Sequence, residues 1–189
     1  MGLICQRLHL LRTLSTDVPA LTDAETVALQ VRKIIEGIAF AALSGTEHRN
    51  KGTLIGLRSK DGAEIIRTLS KRKMLHLPCS QDFKSSADPA YRVIISGRGD
   101  RDMTADDLAE AFKLASQVIH ERHPERLGPE RLEQERSNLR AVAERLRDWL
   151  WTHMTLHNGE AIVVQMVLYP AEGWCVAANK IAPLPDHGC

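Results

Sequence analysis

Three groups of residues in this sequence have the types and spacing to do chemistry. His120 and His123 stand in Ile-His-Glu-Arg-His-Pro, with His120 following the apolar pair Val118-Ile119. An imidazole changes charge near neutral pH, so His120 suits general acid–base work; at a helix carboxyl end it equally suits a structural role. Arg32 and Glu36 are four residues apart, close enough to pair on one helical face. Arg147-Asp148 precedes His153 in the pattern Arg-Asp-x4-His. His153 and His157 have the i,i+4 spacing of a helical two-histidine metal pair. No third ligand, HExxH or cysteine cluster accompanies them, so core or interface histidines are expected there, and no metal or other cofactor.

Other motifs are weaker. Ser96-Gly-Arg-Gly-Asp-Arg-Asp102 lies where a phosphate cradle would sit but lacks the GK[ST] ending, so it reads as a turn carrying arginines. No Gly-x-Ser-x-Gly elbow, dinucleotide fingerprint or recognisable pair of catalytic carboxylates occurs.

Helices must position most of these groups. A first short helix is expected over 3–14. Thr22-Asp23-Ala24-Glu25 reads as a capping box opening a helix to about Leu43, which ends at Ser44-Gly45. On that helix Val27, Val31, Ile34, Ile38 and Ala42 form one apolar face, and Leu29, Phe40 and Leu43 form another, with Arg32 and Glu36 inside it. A helix apolar on two sides belongs at the centre of a bundle, so the Arg32–Glu36 pair is expected to be substantially buried. A third helix is expected over 61–73, then a loop around 78–89 and a strand over 91–96. Thr104-Ala-Asp-Asp107 starts a helix stopped by Pro124, and the longest helix is expected from 128 to about His157, ended by Asn158-Gly159. Its Arg136, Arg140 and Arg147, interleaved with Glu133, Glu144 and Asp148, read as a solvated, salt-bridged face. Strands over 161–168 and 174–181 flank the hairpin signal Tyr169-Pro-Ala-Glu-Gly173.

The fold class expected is therefore α+β, mainly α: one helical domain over 1–182 with a small C-terminal antiparallel hairpin or sheet at 161–181, and an unstructured tail over 183–189.

Composition narrows the partners. With 43% hydrophobic and 26% charged residues the chain is neither disordered nor fibrous. A net charge of +1 gives no global pull toward nucleic acid or anionic membrane, and three Trp, three Phe and two Tyr argue against an extended base-stacking platform. The apolar stretch at Ile34–Leu43 is too short to span a membrane and contains Glu36. Cys5, Cys79, Cys175 and Cys189 form no CxxC pair, and the N-terminal apolar run is interrupted by Arg7 and Arg12. A soluble, cytoplasmic chain with reduced thiols, making no membrane contact, is expected.

Short segments also carry a resemblance. Leu29-Gln-Val-Arg-Lys-Ile-Ile-Glu-Gly-Ile-Ala-Phe40 resembles the opening helix of a group of uncharacterised bacterial proteins similar to the HEPN helical superfamily. Ile119-His120-Glu-Arg-His-Pro124 resembles that group's Leu-His-x-x-Asn-Pro element, and Ile162-Val-Val-Gln-Met166 its C-terminal strand. Together these cover about 25–182. The resemblance implies a HEPN-like helical bundle, a homodimer, and a metal-independent endoribonuclease of a bacterial defence or toxin–antitoxin system, with RNA as substrate and an antitoxin or defence protein as partner. Its alternative is a non-catalytic binding module for a small ligand or partner protein. The superfamily signature is Arg, four to six residues, then His. By position His120 matches the family histidine, with Lys113 and Ser116 where the arginine would stand and Arg32 or Arg122 as substitutes; by pattern, Arg147 and His153 match. The implied catalytic residues are thus His120 with Arg32 and Glu36, or Arg147 with His153.

Overall fold

A computed structural model describes residues 2–13, 20–47, 56–85, 93–120, 128–157, 160–169 and 173–180. The chain is α+β and mainly helical, as the periodicity predicts. Helices α1 (Gly2–Thr13), α2 (Ala20–Glu47) and α3 (Gly62–Lys71) precede strands β1 (Cys79–Ser85) and β2 (Val93–Gly97). Helices α4 (Ala105–His120) and α5 (Pro129–Leu150) follow, then β3 (Thr152–His157), β4 (Glu160–Tyr169) and β5 (Gly173–Lys180).

Helix α2 is central, packing against α1, α3, α4 and α5. Ala24, Val27, Ala28, Val31, Ile34, Ile35, Ile38 and Ala39 are all buried, so its apolar surface is wider than one stripe. Helices α3 and α4 contribute Ile65, Ile66, Leu69, Leu108, Phe112 and Ala115, and α5 contributes Leu139, Leu146 and Trp149. The indole N–H of Trp149 donates to the Pro78 carbonyl at 3.0 Å, which ties α5 to the chain entering β1.

Caps form at the starts of α3 and α4, and the box expected at Thr22 does not. Asp61 caps α3 by accepting from the Glu64 N–H at 2.8 Å. Thr104 and Asp107 form a reciprocal capping box at α4, with Asp107 N–H donating to the threonine hydroxyl and Thr104 N–H to the carboxylate. The expected box at Thr22 does not open α2, which begins two residues earlier, so Thr22 is already helical and its carbonyl accepts from the Thr26 hydroxyl. Asp23 instead turns inward to a tertiary partner. The helix also runs through Gly45 to Glu47, where the buried Thr46 hydroxyl reaches the Ala42 and Met74 carbonyls. At the end of α3, Lys73 adopts φ 54°, with the Met74 N–H donating back to Leu69: a C-terminal motif that favours glycine but here holds lysine.

The sheet is larger than the sequence suggests. Five strands run in the order β2-β1-β3-β4-β5, every adjacent pair antiparallel. Two expectations are corrected here. Residues 79–85 form β1 and not part of a loop. Residues 152–157 form β3 and not the end of the long helix, which stops at Leu150 because Thr152–His157 pairs with β4 on one side and β1 on the other. Ser80, His153 and Val164 lie opposite one another across β1, β3 and β4, and all three are buried. The hairpin turn at 170–172, the stop at Asn158-Gly159, Pro124 and the 183–189 tail lie outside the described residues. Among the described residues, no helix is long and apolar enough to cross a membrane.

Candidate functional site

Helices α2 and α4 cross so that two of the sequence-derived groups meet. The Arg32 Nη1–H donates to His120 Nε2 at 3.0 Å, across 88 positions of sequence. The Arg32 Nε–H donates to Glu36 Oε1 at 3.1 Å, and Lys33 Nζ reaches Glu36 Oε2 at 2.8 Å. The guanidinium carbon lies 5.1 Å from the centre of the Phe112 ring, a cation–π distance. Phe112, Ser116 and His120 are spaced by four on α4, so one helical row presents ring, hydroxyl and imidazole in succession. The Ser116 hydroxyl is buried and has no hydrogen-bond partner.

The arrangement fixes the histidine's tautomer. Guanidinium N–H groups only donate, so His120 Nε2 must accept and its ring proton sits on Nδ1. Arg32 therefore covers the lone pair that would act as a base. The carboxylate is held charged. Burial alone would raise the Glu36 pKa, but the hydrogen bonds from Lys33 and Arg32 outweigh it and leave the group below its ordinary value. Neither side chain is sealed: Arg32 is 25% and Glu36 17% exposed. The pair is largely covered, as its place on a helix apolar on two sides predicts, but it lies at the edge of the bundle with His120 exposed beside it.

The other placement is not assembled into a site. His153 is fully buried, with Nδ1 3.0 Å from the Leu150 carbonyl and Nε2 without a partner. Burial pushes its imidazole below the ordinary value, and the bond to Leu150 only partly opposes this. A ring closed off from solvent cannot meet a polymeric substrate. Arg147 instead donates through Nε and Nη2 to Asp148 and lines an open cleft with Arg101 and Trp151. The helical metal-pair geometry of His153 and His157 is also absent, since four residues of strand separate their backbones by about 13 Å. Among the described residues no group of three or more His, Cys, Asp or Glu could hold a metal ion. His123 and Arg122 lie outside the described residues.

Two features went unread in the sequence. Asp23, whose side chain has no exposed surface, accepts from Arg136 Nε at 2.6 Å and from Arg140 Nη2 at 2.7 Å. Arg136 and Arg140 are therefore a clasp between α5 and the start of α2, and not simply a solvated face. Phe112 beneath Arg32 is the other, and its only signal in the sequence is its spacing of two helical turns from His120. Comparison of the chain with protein-family models, curated proteins and solved structures gave no match.

Proposed function

We propose that Arg32, Glu36 and His120 form the site of a metal-independent endoribonuclease, HEPN-like in character and belonging to a bacterial defence or toxin–antitoxin system. The observation that carries this reading is the 3.0 Å contact between Arg32 and His120, which pairs a phosphate-binding group with a general base at an exposed corner. The sequence resemblance at Leu29–Phe40 and Ile119–Pro124 supports the same assignment.

The chemistry follows from the exchange of partners. A phosphodiester docking on Arg32 takes over the hydrogen bond that His120 now accepts. His120 Nε2 is then free to accept the ribose 2′-hydroxyl proton while O2′ attacks phosphorus. The P–O5′ bond breaks, and the imidazolium returns its proton to the departing 5′ oxygen. The products are a 2′,3′-cyclic phosphate and a 5′-hydroxyl. Arg32 neutralises charge on the phosphate oxygens, and Glu36 with Phe112 keeps its plane fixed.

A second reading is a non-catalytic binding module. It is favoured by the way Arg32 is already occupied by Glu36, His120 and the Phe112 ring, as a structural tie between helices would be. In both readings the chain acts as a homodimer; the ribonuclease has an antitoxin or other defence protein as partner, and the binding module takes a small ligand or a partner protein. Leu29 and Phe40, 44% and 42% exposed on α2 on either side of the site, supply apolar surface for such pairing.

Incubating the protein with labelled tRNA and single-stranded RNA in EDTA separates the readings. Cleavage that falls roughly 100-fold or more in His120→Ala and Arg32→Gln, but not in folded Arg147→Ala or His153→Ala, is the expected result. Absence of cleavage by folded wild-type protein over a wide concentration range leaves the binding module.

A further inference from the structure

Before the start of α4, at the opposite end from His120, the chain builds a polar cleft that the proposed ribonuclease site does not use. It is open, has a volume of about 420 Å³, and is lined by Arg101, Arg147, Asp148 and Trp151. That volume lies in the range of about 300–1,000 Å³ found for small-molecule pockets. Two guanidiniums against one carboxylate leave the lining with a net positive charge, beside an indole that is 38% exposed.

The geometry points to a binding site for a nucleoside 5′-phosphate, either free or as one residue of an RNA strand. The base stacks on Trp151 and the phosphate lies between Arg101 and Arg147. An indole face accepts any base, and a guanidinium fork matches phosphate oxygens. Asp148 holds Arg147 through two bonds to one carboxylate oxygen, at 3.2 and 3.1 Å, which orients its fork.

The backbone supports of these groups are tied by hydrogen bonds. Trp151 is the single residue between α5 and β3, flanked by buried Leu150 and Thr152, and its carbonyl accepts from the Met166 N–H of β4 at 2.9 Å. Arg147 stands one helical turn before it, on the same face. Arg101 closes the short 3-10 turn Gly99–Arg101, its N–H donating to the Arg98 carbonyl at 3.0 Å. The next residue, Asp102, is pinned by the Ser80 N–H at 2.6 Å and the Ser80 hydroxyl at 2.8 Å. Arg98 itself is engaged with Asp82 and Asp100, so of the two arginines in Ser-Gly-Arg-Gly-Asp-Arg-Asp it is Arg101 that faces the cleft. Groups held before a ligand arrives lose little conformational freedom on binding it.

The site is tested with the full chain in EDTA, titrated with AMP, GMP, adenosine, inorganic phosphate and a short single-stranded oligoadenylate. Binding is followed by calorimetry and tryptophan fluorescence. Saturable binding of AMP or GMP is expected, roughly tenfold or more tighter than adenosine or phosphate, because base and phosphate are both held. Trp151→Ala and Arg101→Gln should each weaken it roughly tenfold in protein that circular dichroism shows to be folded. His120→Ala should bind as the wild type does, which separates this cleft from the proposed ribonuclease site whether or not that site cleaves RNA. Tighter binding of oligoadenylate than of AMP, still sensitive to Trp151→Ala, identifies the ligand as an RNA residue; tighter AMP binding identifies a free nucleotide. The proposal is overturned by any of three results: no saturation with mononucleotide or oligomer, equal affinity for phosphate and AMP, or affinities unmoved by Trp151→Ala and Arg101→Gln.

Discussion

A Cβ placed on Gly62 would lie 3.1 Å from the Cα of Glu36. The first residue of α3 thus rests against the backbone of α2 at the residue that orients Arg32. Nothing flexible lies between them, since the nearest atoms are Glu36 Cα, Cγ and N. Gly62→Ala should therefore push the two helices apart despite alanine's better helix propensity. The expected cost is about 1–3 kcal/mol by urea denaturation, together with loosening of the Arg32–Glu36 pair. Unchanged or raised stability would show that α3 can shift freely.

The clasp at Asp23 gives a larger effect. Replacing Arg136 and Arg140 together by alanine strands a carboxylate whose side chain has no exposed surface. The double variant should lose about 3–5 kcal/mol in denaturant titration. Adding Asp23→Asn to it should recover part of that loss by removing the unpaired charge.

His153 predicts how stability responds to acid. Its folded pKa lies below the ordinary value, so the unfolded chain binds a proton more readily than the folded one. Its contribution is complete above about pH 6.5, the ordinary imidazole value, and is lost progressively as pH falls toward the folded pKa. Urea midpoints measured between pH 7.5 and 5.5 should decline in the wild type. They should decline less steeply in His153→Phe, which takes no proton. An equal slope in both would remove His153 as the source.

Lys73 holds a left-handed conformation at the end of α3 that glycine adopts without cost. Lys73→Gly should raise stability by about 1 kcal/mol, since a side chain in that region costs about that much. The gain is read as a shift in urea midpoint at constant slope. A loss of stability would mean that the greater freedom of glycine in the unfolded chain outweighs relief of strain.

Local signals in the sequence carried the helices well. The apolar spacing of Ile65, Ile66 and Leu69, and of Leu108, Phe112, Ala115 and Val118, matches the buried faces of α3 and α4. The Thr104–Asp107 start forms, as does the Asp61 cap of α3. Pairing between distant segments was not legible in the same way. Cys79-Ser-Gln-Asp-Phe-Lys-Ser has no clean alternation of apolar and polar residues, and it is a strand because β2 and β3 supply its backbone partners. Thr152–His157 follows a strong helix without a break residue, so only its pairing with β4 and β1 shows where helix gives way to strand. For the site, the Arg32–Glu36 spacing was readable because it is local. The partnership of Arg32 with His120 depends on how α2 crosses α4, and the inward turn of Asp23 depends on α5 lying across it.

The position of β1 between β2 and β3 has a consequence for synthesis. Cys79 and Ser80 find Met154 and His153 only after α4 and α5 have been made. During translation, β1 and β2 can pair early, but the β1 edge that later receives β3 stays open while those two helices emerge. Its exposed backbone groups form a template for wrong pairing with neighbouring chains. Charged Asp82 and Lys84 on that strand discourage such contacts. The closing of this long loop should be among the slowest folding events, so the nascent chain is most prone to aggregate just before β3 leaves the ribosome.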